Sequence, residues 1–162
     1  MRCLGAIAMA TAVACAGCTT APPALIVGGS GIRACLTNPR SRVYAVIVPV
    51  QNFSTNDVVI DSITPSGLSG ATSVEARVLS RRSDGSEPTL PYAGVGFITD
   101  IAGYDDAVDV AGTVLEAGAQ VKVAVAVQPT DASSVIAGVT ANFGSDVARS
   151  TVVVWAEQDT CE

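Results

Sequence analysis

The stretch from Val121 to Val127 reads VKVAVAV and limits the possible folds more than any other part of the chain. Its valines recur at every second position, so an extended backbone places all four on one face and Lys122 with two alanines on the other. β-branched residues at a period of two favour a strand. This segment therefore predicts a β-strand whose valine face lies against a hydrophobic core.

Similar short apolar or alternating runs, separated by turn residues, continue through the chain. In residues 73–79 the alternation predicts Val74, Ala76 and Val78 on the inner face and the charged Glu75 and Arg77 on the outer face. Outside the first eighteen residues, no window has the apolar stripe of a helix. The predicted strands cover residues 43–50, 57–64, 73–79, 93–99, 107–115, 120–128, 135–142 and 150–157.

Seven or eight strands at this spacing, without helical crossovers, predict an all-β fold, an antiparallel β-sandwich. Residues 48–54 (VPVQNFS) and 115–125 (LEAGAQVKVAV) resemble the Ig-like domains of bacterial envelope proteins. The resemblance covers about residues 43–157 and implies an Ig-like β-sandwich of 7–8 strands within a domain over residues 33–162. The Cys…Trp…Cys pattern of antibody domains is missing, because Trp155 stands in the last predicted strand, six residues before Cys161.

The first eighteen residues, MRCLGAIAMATAVACAGC, predict export. Arg2 supplies the positive start, and the apolar stretch over residues 4–14 is much shorter than the ~20 residues of a spanning helix. The Ala-Gly-Cys ending resembles the lipobox of bacterial lipoproteins, which implies removal of residues 1–17 and acylation of Cys18. The lipobox has leucine three positions before its cysteine, and here Cys15 stands in that place. Residues 12–15 (AVAC) are a second, weaker candidate, which makes Cys15 an alternative acylation site. Ordinary signal cleavage and an uncleaved anchor remain further alternatives.

Residues 18–32 have the composition of a flexible tether, with two prolines and a Gly-Gly-Ser-Gly run. Residues 24–27 are alternatively a first edge strand. Gly29, Gly31 and Ala34 have the spacing of a dinucleotide-binding turn, but the parallel strands and the acidic residue of such sites do not follow. A tether is therefore expected here, and no cofactor is predicted.

Cys35 and Cys161 are the two cysteines that remain in the mature domain. In an oxidising compartment such a pair predicts a disulfide, and two independent buried thiols are the alternative. A bond that closes so long a loop stabilises the fold by up to about 5 kcal/mol on the chain-entropy model. The pair supports an extracytoplasmic address.

Charge and composition exclude several classes of function. The net charge is −6, and it becomes −7 when Arg2 leaves with the signal peptide, so nucleic acid is an unsuitable partner. The sequence contains no histidine, which removes the Ser-His-Asp and Cys-His nucleophile systems and the commonest zinc ligand. We therefore expect a non-enzymatic protein.

Four carboxylates around Tyr104 are weak candidates for a calcium site. Asp100, Asp105, Asp106 and Asp109 supply the oxygen ligands that Ca²⁺ prefers, although their spacing matches no EF-hand loop. An exposed acidic turn is the alternative. If these residues bind Ca²⁺ or a small ligand, the protein is a small-ligand or calcium-binding accessory protein of the envelope.

The irregular stretch over residues 83–103 is the predicted interaction loop, with Tyr92, Phe97 and the adjacent Tyr104 as its contact residues. Loops on a rigid sandwich are where binding usually occurs. The alternative is that these aromatic side chains cap the core beneath a crossover between the sheets. The sequence thus predicts a lipid-anchored binding or interaction module on the outer face of the cell membrane, with the membrane and another envelope protein as partners.

Overall fold

β-strands account for nearly all regular structure in the computed structural model, which describes residues 24–28, 31, 33–37, 42–79 and 94–157. One turn of 3-10 helix, Ile98–Asp100, lies in the same ranges. The strands in chain order are β1 (Leu25–Val27), β2 (Arg33–Thr37), β3 (Tyr44–Asn52), β4 (Val58–Ile60), β5 (Ser62–Ser66), β6 (Ala71–Leu79), β7 (Gly94–Phe97), β8 (Val108–Asp109), β9 (Thr113–Leu115), β10 (Gln120–Pro129), β11 (Ser133–Ile136), β12 (Gly138–Phe143), β13 (Asp146–Ser150) and β14 (Val153–Glu157).

These strands form four sheets. The largest has six strands in the order β1-β3-β10-β6-β8, with β7 also paired to β3. Two three-stranded sheets, β11-β14-β2 and β13-β12-β5, and the pair β4-β9 complete the described fold. Every pairing among these strands is antiparallel except that of β2 with β14. The predicted all-β, antiparallel Ig-like sandwich is confirmed.

The main hydrophobic core lies between the large sheet and the smaller sheets. Val123, Val125 and Val127 of β10 are fully buried in this core, as the alternation of their segment predicted. Ile136 and Val154 enter the same core from the smaller sheets. Complete burial of one such side chain contributes roughly 1.5–3 kcal/mol, so packing between the sheets is the main source of stability.

Several predicted strands are divided because the chain passes from one sheet to another within the run. The predicted strand over residues 135–142 becomes β11, which pairs with β14, and β12, which pairs with β13 and β5. Ala137 separates the two, and its amide donates a 3.0 Å hydrogen bond to the carbonyl of Ser66. The run over residues 57–64 likewise becomes β4 and β5. The structure therefore has more and shorter strands than the sequence pattern predicts.

Strand β1 corrects part of the predicted tether. Its residues pair with β3, with Leu25 opposite Asn52 and Val27 opposite Val50. Leu25 and Val27 are 0% and 2% exposed. Burial of both side chains stabilises the folded state, whereas a tether would leave them in water. The expectation of a flexible tether over residues 18–32 is wrong for residues 25–27, where the edge-strand alternative holds.

A β-bulge in β6 corrects the predicted direction of Val74. Ala126 of β10 faces Glu75, but the next residue, Val127, faces Ser73, so β6 has one extra residue at this point. That extra residue is Val74, and its side chain is 51% exposed. The inward and outward positions of the β6 residues before Val74 are therefore shifted by one residue relative to the predicted alternation.

A second, smaller core covers part of the outer face of the large sheet. Ile101, Tyr104 and Ala107 lie over Ala124 and Ala126 of β10, and each of the five residues is buried. The large sheet is thus buried on both faces along its middle. Beyond this cover, at the end of β3, the outer face of the sheet is open.

Candidate functional site

An uncharged groove occupies the open part of the outer face of the large sheet. It encloses about 230 Å³. Its lining residues are Ile26, Gly28, Pro49, Gln51, Phe53 and Gln120. The two large apolar side chains, Ile26 and Phe53, are 44% and 56% exposed. We call this surface the Ile26–Phe53 groove.

Strand pairing places three of the lining residues in one row across the sheet. Gln51 of β3 lies between Ile26 of β1 and Gln120 of β10. Leu25 and Val27, on either side of Ile26, point into the main core, so Ile26 must point outward. A shift of β1 by one residue would bury Ile26 and expose two core residues, and this difference fixes the register.

Gly28 fixes the end of β1 against β3. Its amide donates a 2.7 Å hydrogen bond to the carbonyl of Pro49. A Cβ atom on Gly28 would lie 2.5 Å from Cγ of Pro49, so a larger residue requires the proline ring or the strand to move. The carbonyl of Gly28 also accepts a 2.9 Å hydrogen bond from the Ser150 hydroxyl. These contacts hold Gly28 in place at one side of the groove.

Asn52 holds the loop that presents Phe53. The Asn52 side chain is fully buried, and its Nδ2 donates to the carbonyls of Asn56 at 2.8 Å and Leu115 at 2.9 Å. Its Oδ1 accepts from the amide of Ser54 at 2.9 Å and from the hydroxyl of the same residue at 2.7 Å. A buried amide with its donors and acceptor used in this way fixes the surrounding backbone.

The side chains of the Ile26–Phe53 groove offer non-covalent contacts. Among its described lining residues none is a nucleophile, an acid or a base. The two exposed apolar side chains offer area for hydrophobic contact, and Gln51 and Gln120 offer amide donors and acceptors. Sequence reasoning did not identify this surface.

The predicted interaction loop is corrected at Tyr104, which is 7% exposed and belongs to the second core. Phe97 is half-buried against the main core, and the guanidinium of Arg42 lies 3.7 Å from the centre of its ring. The capping alternative therefore describes Phe97 and Tyr104. Tyr92 lies outside the described residues.

A polar contact fastens the second core to the sheet. The hydroxyl of Tyr104 donates a 2.8 Å hydrogen bond to Oε1 of Glu75, and Nε of Arg77 forms an ion pair with Oε2 at 2.8 Å, outside hydrogen-bond geometry. Burial and the bond to Glu75 raise the pKa of Tyr104. Burial alone would raise the pKa of Glu75, but the contacts with Arg77 and Tyr104 outweigh it and lower that pKa.

The four candidate calcium ligands do not form a site. Asp100 forms an ion pair of 3.0 Å with Arg42. Asp109 of β8 lies opposite Arg77 of β6 in the pairing of the two strands. All four residues, Asp100, Asp105, Asp106 and Asp109, are described. Within the described ranges no group of three or more His, Cys, Asp or Glu side chains is arranged to hold a metal ion.

A second, acidic cavity of about 390 Å³ is lined in part by Ala24. Its carboxylates belong to Asp57, Asp61 and Asp146. Two of them accept backbone hydrogen bonds, Asp57 from the amide of Ala117 at 3.2 Å and Asp61 from that of Gly144 at 2.6 Å. These two aspartates therefore stabilise turns.

The cysteines that the sequence singled out are only partly described. Cys35 lies half-buried in β2, opposite Trp155 of β14. Cys15, Cys18 and Cys161 lie outside the described residues. In the part of the chain that is described, no helix is long and apolar enough to span a bilayer.

Comparison with known proteins gives a similarity of structure but none of sequence family. No protein-family model and no curated protein matches the chain. Among solved structures, the chain is similar to the ASH/PapD-like domain 7 of human CEP192, with 13% identity and a TM-score of 0.43. The alignment covers 96% of this chain and 100% of that chain.

Proposed function

We propose that this protein is an exported, lipid-anchored envelope protein whose Ig-like domain is a non-enzymatic binding module. The observation that carries the binding role is the Ile26–Phe53 groove. Exposed apolar side chains beside a recess are a feature of interaction and ligand-binding surfaces. The missing histidine and the uncharged lining support a role without catalysis.

The proposed address rests on the first eighteen residues. The positive start, the short apolar stretch and the Ala-Gly-Cys ending support cleavage before Cys18 and acylation of that residue, with Cys15 as the alternative. One acyl chain binds a membrane only marginally, so stable anchoring needs the several chains of a lipoprotein. The domain then stands on the extracytoplasmic face of the membrane.

A disulfide between Cys35 and Cys161 is part of the same proposal. Strand β14 runs beside β2 and ends at Glu157, opposite Thr37. Four further residues lead to Cys161, and such a segment spans up to about 13 Å, enough to return to Cys35 from a strand about 4.8 Å away. The pairing of β2 with β14 therefore supports the bond that the cysteine count predicts.

Photo-crosslinking in intact cells tests the binding role. We expect Phe53→benzoylphenylalanine in the full-length chain to give defined adducts, because its side chain borders the groove. Val108→benzoylphenylalanine is the matched control, since Val108 is 54% exposed but lies on β8, at the other edge of the sheet. Equal yields at the two positions would contradict a binding role for the groove.

A further inference from the structure

Strand β1 makes the link between the proposed anchor and the domain short. The carbonyl of Ala24 is held by the amide of Phe53, and Leu25 is already paired with β3. Only five residues separate Cys18 from Ala24, and the segment from Cys18 to Ala24 spans at most about 20 Å when fully extended. A compact domain of this size has a radius of gyration of about 14 Å, hence a diameter greater than the link. An acylated Cys18 therefore holds the Ala24 side of the domain at the membrane.

Two surfaces lie near Ala24, and their chemistry differs: Ala24 itself lines the acidic cavity, and its carbonyl is bonded by the amide of Phe53 in the groove. The acidic cavity presents Asp57, Asp61 and Asp146, and carboxylates are costly to bring against lipid. The Ile26–Phe53 groove presents exposed apolar side chains, and none of its described lining residues is ionisable. Apolar side chains on a surface enter the boundary between headgroups and acyl chains, where their burial is favourable. Of the two surfaces, a bilayer accepts the groove.

We infer that the partner of the Ile26–Phe53 groove is the phospholipid bilayer itself, so that the anchored domain lies on the membrane through this groove instead of standing clear of it. The inference rests on the proposed lipid anchoring. A long tether would let the domain stand clear of the membrane, but residues 25–27 belong to the sheet and the tether is shorter by that much. The side chains of Ile26 and Phe53 enter the interface, and the opposite edge of the large sheet, at β8, faces water.

Quenching of tryptophan fluorescence by brominated lipid tests this orientation. The acylated protein is purified from membranes and reconstituted into phosphatidylcholine vesicles with or without brominated acyl chains. Trp155→Phe removes the single native tryptophan, and Phe53→Trp adds a reporter at the groove. Val108→Trp is the control, on β8, which lies three strand spacings or about 14 Å across the sheet from β3. If Trp155→Phe weakens the fold, the native tryptophan is kept and the signal of the parent protein is subtracted.

We expect quenching at least about threefold stronger for Phe53→Trp than for Val108→Trp, since bromine quenches only indoles that reach the acyl region. Flotation of the vesicles and the mass of the acylated chain are measured on the same samples. Protein that floats but shows equal quenching at both positions overturns the orientation and leaves anchoring intact. Protein without acyl mass that fails to float overturns the proposed anchoring. Strong crosslinking of Phe53→benzoylphenylalanine to a protein, with equal quenching, assigns the groove to that protein instead.

Discussion

The backbone amide of Phe53 donates a 2.8 Å hydrogen bond to the carbonyl of Ala24. This bond joins the loop after β3 to the residue that precedes β1, so the exposed phenyl ring stands beside the point at which the N-terminal segment reaches the domain. The proposed binding surface and the proposed site of membrane attachment are therefore neighbours. The inferred orientation of the domain rests on this one relationship together with the shortness of the link.

The first prediction concerns the buried amide that supports the groove. Asn52→Ala removes the donors to Asn56 and Leu115 and the acceptor for Ser54, and leaves buried polar groups without partners. We expect the free energy of unfolding to fall by about 3 kcal/mol. Urea denaturation, followed by circular dichroism, measures the change.

Asn142→Ala is the matched control for that prediction. Asn142 is half-buried, and its Nδ2 donates one hydrogen bond of 2.9 Å to the hydroxyl of Ser62. We expect a loss of about 1 kcal/mol. Equal losses for Asn52→Ala and Asn142→Ala would show that the Asn52 network does not have the structural importance assigned to it.

The second prediction concerns the pH dependence of the contact between Tyr104 and Glu75. Because the pKa of Glu75 is lowered in the folded state, its stabilisation is present above the ordinary pKa of about 4.3 and is lost as the pH falls through the folded value. Because the pKa of Tyr104 is raised, its stabilisation is present below about pH 10 and is lost at higher pH. Unfolding free energies measured across this range should fall at both ends.

Variants separate this contact from other titrating groups. Glu75→Gln should lose stability at neutral pH and approach the parent protein in acid, and Tyr104→Phe should reduce the decline above pH about 10. Glu116→Gln is the control, because Glu116 lies on an exposed turn. If Glu116→Gln and Glu75→Gln give the same pH profile, the contact with Tyr104 does not contribute as described.

The third prediction concerns the proposed disulfide. Cys35→Ser should lower the free energy of unfolding by up to about 5 kcal/mol, because the unfolded chain loses its closed loop. Cys161→Ser should have the same effect, and the double variant no further effect, since both changes remove one bond. Denaturant unfolding and the peptide mass without reductant test this. Full alkylation of both thiols in the native protein would refute the bond.

The fourth prediction concerns calcium. Asp100 is already paired with Arg42, and the neighbouring aspartates are not gathered into a site in the described residues. Millimolar Ca²⁺ should therefore leave the melting temperature unchanged relative to a sample with chelator. A rise in melting temperature that Asp105→Asn abolishes would restore the calcium-binding alternative.

Much of the fold could be predicted because alternation and burial coincide in its central strands. The valines of residues 121–127 face the main core as their spacing indicates. Val74 shows the limit of this reasoning, since a bulge depends on the partner strand and leaves no mark in the local pattern. The division of strands between sheets is likewise a property of long-range pairing, which local periodicity does not contain.

The groove could not be predicted because its exposure depends on distant segments. Ile26 lies in a continuous apolar run, so its exposure is not marked in the sequence. Pro49 and Gln51 are open because the cover formed by residues 98–107 lies over Ala45 and Ile47 and does not extend to this end of β3. One signal was present in the sequence. Asn52 stands at the next inward-facing position after the alternating valines of β3. A polar residue at a position that alternation predicts to be buried indicates a special local structure.

The most direct test of the whole account is the mass of the N-terminal peptide of the protein recovered from the membrane fraction of cells. We predict a chain that begins at Cys18 and carries the mass of several acyl chains. A chain recovered from the cytosol with Met1 and the following seventeen residues intact would contradict the account.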